Sequence, residues 1–152
     1  KTGAEHARAD LFEGRLCVVT PRPNNAHAAV SRVIEFWQTL GLRVATTTPA
    51  EHDAALAVTS HLPHLVAAAL AQQLEPSLVP YAATGFRDTT RIAAGSPELW
   101  TAIFQSNKES VLDALTSFQT TLALYRNAIE ACDERQIARL LTEAQYRRQL
   151  LG

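Results

Sequence analysis

The chain has 152 residues and a formal net charge of −1 at pH 7, with 47% hydrophobic and 19% charged residues. That balance supports a buried core and excludes disorder as the state of the whole chain. The near-zero charge excludes a global field that would draw it to nucleic acid or to an acidic membrane.

Two cysteines, Cys17 and Cys132, are too few for a disulfide framework or a cysteine zinc site. The longest unbroken apolar runs, such as Leu65–Ala71, are too short to span a bilayer. The sequence contains no methionine, so it is expected to continue upstream of Lys1. Residues 1–10 lack the apolar stretch of a secretory signal, which makes a reduced, cytoplasmic compartment the default. All the basic residues except Lys1 and Lys108 are arginine. Arginine is the better fork for planar carboxylates, but high-GC coding gives the same bias.

Leu16–Thr20 (LCVVT) is a β-branched run closed by Pro21 and Pro23, and reads as a strand. Asn24 and Asn25 are expected to cap a helix in which Ala26, Ala29, Val30, Val33, Ile34, Trp37 and Leu40 recur at helical spacing. Gly41 stands where a left-handed residue ends such a helix. Arg43–Thr48 reads as a second strand. The helix is long enough for a parallel crossover. Two strands alone do not make a stable sheet, so the rest of it is expected upstream.

Thr48-Pro49-Ala50-Glu51 supplies a capping threonine, a proline at the first helical position and an acid in the first turn. The helix it opens is expected to run to about Leu74, kinked at Pro63, and to be buried over Leu65–Ala71. Further helices are expected over Val79–Ala83, from Ser96-Pro97-Glu98 through Trp100 and Phe104, from a capping Asn107 through Ile129, and from a capping Asp133 through Tyr146. No segment after residue 48 reads as a strand. Ala67, Ala68, Ala69 and Ala71 allow close helix approach, either inside a monomeric bundle or against a second copy.

Two segments carry candidate chemistry. In Ser60-His61-Leu62-Pro63-His64 the two imidazoles are three residues apart and share a helix face. Metal binding would need further ligands, and no His-Glu-x-x-His pattern is present, so no metal is expected. The histidines are then structural, or they hold a polar ligand near neutral pH. In Gly85-Phe86-Arg87-Asp88-Thr89-Thr90-Arg91 the two guanidinium groups are expected to share a helix face, held by Asp88 or by an anion between them. They either tie helices together through Asp88 or capture an anionic small molecule. Trp100 is core or a lid.

These segments follow one another in a familiar order. Lys1-Thr2-Gly3, Ala9-Asp10-Leu11-Phe12, Val18-Val19-Thr20-Pro21, Glu51-His52-Asp53, Ser60-His61-Leu62-Pro63-His64, Gly85-Phe86-Arg87-Asp88-Thr89-Thr90-Arg91-Ile92-Ala93 and Pro97-Glu98-Leu99-Trp100 resemble the C-terminal part of the prephenate/arogenate dehydrogenase family of tyrosine biosynthesis. The resemblance covers nearly the whole chain. It implies oxidative decarboxylation of prephenate or arogenate with NAD or NADP. It also implies that Arg91 binds a substrate carboxylate, that Asp88 orients polar groups nearby, and that His64 lies in the substrate pocket with Ser60 and Trp100 lining it. The family's general-base histidine and glycine-rich nucleotide turn belong upstream of Lys1. No catalytic residue is therefore expected in this chain, its cofactor-binding residues are unknown, and alone it should be inactive. Relatives are dimers through the helical domain, so a homodimer is expected, and tyrosine is a candidate inhibitor.

The expected fold is mainly α: a helical substrate-binding and dimerisation domain over 49–152, preceded over 1–48 by a strand–helix–strand remnant of a Rossmann-like α/β domain. The expected partners are substrate and a second copy, with no nucleic acid and no membrane. The alternatives are a non-catalytic helical interaction module and another NAD(P)-dependent hydroxyacid dehydrogenase.

Overall fold

In the computed structural model, residues 3–8 and 10–152 are described. Lys1, Thr2 and Ala9 of the resemblance segments lie outside the described residues. The chain forms two compact units, Lys1–Leu56 and Ala57–Gly152.

The first unit is built on two short parallel strands, β1 (Leu16–Val19) and β2 (Arg43–Thr46), with Leu16 opposite Arg43 and Val19 opposite Thr46. Helix α1 (His27–Thr39) makes the crossover between them and packs on β2. Strand alternation turns Cys17 and Val19 inward and leaves Leu16 and Val18 exposed on the other face. Trp37 of α1 meets Phe12 and Phe36 edge to face, with ring centroids 6.0 and 5.2 Å apart.

The asparagines do not cap α1. Ala26 is its N-cap, and Asn25 Oδ1 instead accepts from the Arg22 backbone N–H at 2.7 Å, closing the Pro21–Asn25 turn. Gly41 ends α1 at φ 86°, and the Leu42 N–H reaches back to the Trp37 carbonyl at 3.2 Å. This is the left-handed C-terminal arrangement that glycine adopts without strain. Helix α2 (Pro49–Leu56) opens with a reciprocal cap: the Glu51 N–H donates to Thr48 Oγ1 at 3.2 Å, and Glu51 Oε2 accepts from the Thr48 N–H at 2.9 Å. Hydrogen bonds from Thr48 and Thr47 hold the Glu51 carboxyl down at about 2.

The expected single helix to Leu74 is divided. A π turn over Ala57–His61 precedes α3 (Leu62–Ala71). Pro63 therefore falls in the first turn of α3, directly after a turn that is wider than α-helical. The helical run Pro49–Ala71 has 23 residues and contains an 18-residue window of mean hydropathy 1.5, so by length and composition it could cross a membrane, which Leu65–Ala71 alone could not. A core helix meets the same description. Here Ala57, His61 and Ala67 are buried, and His61 and His64 point at an indole of the same unit.

In the second unit the expected helix over Val79–Ala83 is a 3-10 helix over Pro76–Tyr81, since Pro76 and Pro80 suit its tight turns better than an α-helical ladder. Then come α4 (Thr84–Thr90), a 3-10 turn over Arg91–Ala94, α5 (Pro97–Ser106), α6 (Lys108–Glu130) and α7 (Glu134–Gln149). Ser96 and Asp133 cap α5 and α7 through side-chain oxygens, accepting from Leu99 and Gln136 backbone N–H groups. No strand follows residue 48 among the described residues. Ala57, Val111 and Ala114 form the centre of the core, with Leu62, Leu65 and Phe104 packed around them. Of the small side chains of α3, Ala67 is buried, Ala68 and Ala71 are half-buried and Ala69 is exposed, and the helix lies against α4, the Arg91–Ala94 turn and α6. The large exposed apolar residues of the helical hairpin stand elsewhere, at Leu122, Leu124 and Ile129 of α6 and Leu141 and Tyr146 of α7.

The α6–α7 turn repeats the geometry seen at Gly41, but with a side chain in the left-handed position. Cys132 has φ 52°, its N–H bonds the Ile129 carbonyl, and the Asp133 N–H bonds the Ala128 carbonyl at 2.9 Å. Cys132→Gly should relieve this strain and raise stability by about 0.5–1 kcal/mol. Urea unfolding checks it: the midpoint should rise at constant slope, and a lower midpoint would show that the thiol contributes packing that outweighs the strain.

Candidate functional site

The π turn and the start of α3 bring both histidines of the Ser-His-Leu-Pro-His segment toward Trp100 of α5. The His64 imidazole lies flat on the indole, with centroids 3.4 Å apart and planes 22° from parallel. The His61 ring meets the same indole edge-on at 6.4 Å, and Phe104 follows one helical turn on at 5.7 Å. His61 is 8% exposed. The Asn107 amide Nδ2–H donates to its Nδ1 at 3.2 Å, which requires the tautomer protonated on Nε2. Asn107 was expected to cap α6. It occupies that position but makes no capping bond, because its side chain is turned to His61.

Burial, and secondarily the positive charge His61 can carry, push the His64 pKa below its usual value near 6.5. The folded state thus holds this imidazole less basic than the unfolded chain does. Its titration favours folding above pH 6.5 and works against the fold as pH falls through that value. At neutral pH His64 is an uncharged ring with one donor and one acceptor nitrogen.

A cavity of about 270 Å³ opens beside this stack, lined by His64, Ala68, Ile92, Gly95, Trp100 and Phe104 among others. Its walls are mostly apolar with a few polar groups, the usual make-up of a small-molecule site. The Trp100 indole N–H makes no hydrogen bond among the described residues.

The arginine segment is arranged differently from the expectation. Asp88 does not bridge the two guanidinium groups. Arg87 Nε donates to the Ala82 carbonyl at 3.0 Å, and Arg91 begins the 3-10 turn that follows α4. Asp88 and Arg91 are exposed, and neither side chain has an ion-pair or hydrogen-bond partner among the described residues. The structural alternative of an Arg–Asp tie between helices is therefore absent from this segment. Arg91 is not itself in the cavity wall, but it directly precedes Ile92 and Ala93, which are. Ser60 sits half-buried in the π turn without a hydrogen-bond partner among the described residues. Of the five singled-out residues, the structure thus brings His64 and Trp100 into one cavity and places Ser60, Asp88 and Arg91 outside its lining. Among the described residues no group of three or more His, Cys, Asp or Glu side chains is placed to hold a metal ion.

Residues 48–143 match the family described as prephenate dehydrogenase, dimerization domain. The chain belongs to this family. The cyclohexadienyl dehydrogenase of Zymomonas mobilis is 31% identical over 153 residues, covering 96% of this chain and 52% of that protein. The prephenate dehydrogenase of Bacillus subtilis is 33% identical, covering 95% of this chain and 40% of the relative. Among solved structures, prephenate dehydrogenase from Aquifex aeolicus in complex with hydroxyphenyl propionate and NAD+ superposes with a TM-score of 0.93 at 33% identity, over 100% of this chain and 55% of that one. Synechocystis arogenate dehydrogenase gives 0.84 at 29% identity, over 94% and 54%. The chain spans about half the length of the relatives it matches.

Three residues in or around this cavity were not legible from the sequence as its neighbours: Asn107, Phe104 and Gly95. Phe104 follows Trp100 at helical spacing and reads equally well as core. Asn107 meets His61 across 46 positions, a separation no local pattern signals. Asn107→Ala should leave the buried His61 nitrogen without its donor and lower stability by about 1–3 kcal/mol. Chemical denaturation measures this. A loss within a few tenths of a kcal/mol would mean that the amide is dispensable to the histidine.

Proposed function

We propose that the protein to which this chain belongs oxidises prephenate or arogenate with NAD or NADP, and that this chain supplies the pocket for the six-membered ring and the surface for self-pairing. The observation that carries the reading is the half-enclosed cavity floored by the neutral His64–Trp100 stack. Arg91, one residue before the cavity-lining Ile92, carries a guanidinium with no partner among the described residues. A flat ring suits the aromatic and apolar walls, and a carboxylate suits the free arginine. The relatives' names and the ring acid in the Aquifex aeolicus complex favour the same substrate class.

In this reaction the ring alcohol gives up hydride from carbon and a proton from oxygen. The ring carboxylate leaves as carbon dioxide, and its bonding pair completes the aromatic ring. The dinucleotide supplies the hydride acceptor. This chain has no glycine-rich turn between β1 and α1; the connection is Thr20-Pro21-Arg22-Pro23-Asn24-Asn25-Ala26. We therefore assign cofactor binding and the proton-accepting base to residues beyond this chain, in a cytoplasmic enzyme.

Within the chain, Arg91 pairs with a substrate carboxylate, Asp88 orients that guanidinium or a nearby polar group, and Ser60 offers a hydroxyl at the π turn. His64 donates or accepts a hydrogen bond at the ring edge while remaining uncharged. Trp100 covers one ring face and excludes water. Residues 1–48 form the end of the nucleotide-binding α/β domain, and 49–152 form the substrate-binding and dimerisation portion. Self-pairing draws support from the family description and from the exposed Ile129 and Tyr146, 61% and 62% accessible, on the α6–α7 hairpin.

Arg91→Ala in the intact enzyme should raise KM about ten- to hundredfold, the worth of one charge-assisted hydrogen bond, with a smaller fall in kcat. Steady-state assays with prephenate and arogenate, each with NAD+ and NADP+, test both the residue and the substrate. An unchanged KM removes Arg91 from carboxylate binding, and no turnover of either ring acid overturns the reading.

A further inference from the structure

Gly95 ends the 3-10 turn with φ −64° and ψ 157°. This is extended backbone that any residue adopts, so the chain path does not require glycine there. The space does. A Cβ at position 95 would lie 2.5 Å from Trp100 Nε1 and 2.9 Å from its Cδ1. Such distances lie well inside ordinary van der Waals contact.

Neither neighbouring backbone yields readily. The Arg91–Ala94 turn is packed on α3, and Ser96 Oγ accepts from the Leu99 N–H to fix the start of α5. The movable part is the indole, and it already touches His64 flat, His61 edge-on and Phe104 at a tilt. It can yield only by sliding or tilting against the imidazole.

We propose that Gly95 is a positioning residue: the bare backbone there seats the Trp100 indole flat on His64, and a side chain at 95 prises the two rings apart. Because Gly95, Trp100 and His64 all line the cavity, the same displacement reshapes its wall. That functional consequence, though not the positioning itself, rests on the reading of the cavity as the ring-binding pocket.

The test uses Gly95→Ala in the intact protein labelled at histidine, with the His64 ring signals assigned by their loss in His64→Gln. Without any ligand, the His64 ring protons of the parent should resonate upfield, under the face of the indole. In Gly95→Ala they should move downfield, and the His64 titration midpoint should rise as the ring becomes more open to water. In a Trp100→Leu background, Gly95→Ala should leave both quantities unchanged. Unmoved His64 signals in Gly95→Ala, or an equal displacement in the Trp100→Leu background, would overturn the proposal. Steady-state KM for the ring acid is measured on the same variant. Displaced His64 signals with an unchanged KM uphold the positioning role and count against the ring-binding reading alone.

Discussion

The imidazole of His64 lies face to face with the Trp100 indole, and the rest of the site is arranged around keeping it there. The stack needs three things from the sequence. The π turn at Ala57–His61 resets the helix phase ahead of Pro63, so that α3 starts cleanly with His64 in its first turn. Ser96 fixes the start of α5, four residues before the tryptophan. Gly95 leaves the indole room. Burial against these groups makes the imidazole less basic than one free in water.

Much of this was legible in the sequence. The crossover unit, the Thr48–Glu51 cap, the starts of α5 and α7 and the all-helical second part follow from short-range rules, because propensity, capping and periodicity agree there. The His-x-x-His spacing gave a shared face, and the order of the motifs gave the family. What failed did so where two local rules competed. Asn107 is a good cap by type, yet its amide serves the buried His61, because an unpaired buried nitrogen costs more than an uncapped exposed helix start. Pro63 was expected inside one continuous helix, yet a π turn before it divides the run and leaves the proline in the first turn of α3. Arg87 and Arg91 were expected to be held by Asp88 or by an anion between them, but Arg87 bonds the Ala82 carbonyl and Arg91 belongs to the 3-10 turn that follows α4.

The two guanidinium groups consequently have different prospects. Arg87 is tied to its own backbone through Ala82, whereas Arg91, one residue before the cavity-lining Ile92, is exposed and has no side-chain partner among the described residues. An exposed arginine of this kind contributes little to stability, so a ligand can recruit it at little cost to the fold. The α6–α7 hairpin makes a parallel case. It buries Val111, Ala114 and Ala128, while Leu112, Leu122, Leu124, Ile129, Leu141 and Tyr146 are exposed, which costs solubility unless a second surface covers them. Both features fit the proposed reading, in which substrate and a second copy complete what this chain leaves open.

Binding of 4-hydroxyphenylpropionate to the intact, NAD+-loaded protein, followed through the His64 ring resonances, tests the account most directly. A ligand seated on the stack should shift those resonances, and should do so in step with its binding isotherm. Saturable binding that leaves them untouched would place the ring acid elsewhere and contradict the assignment of this cavity.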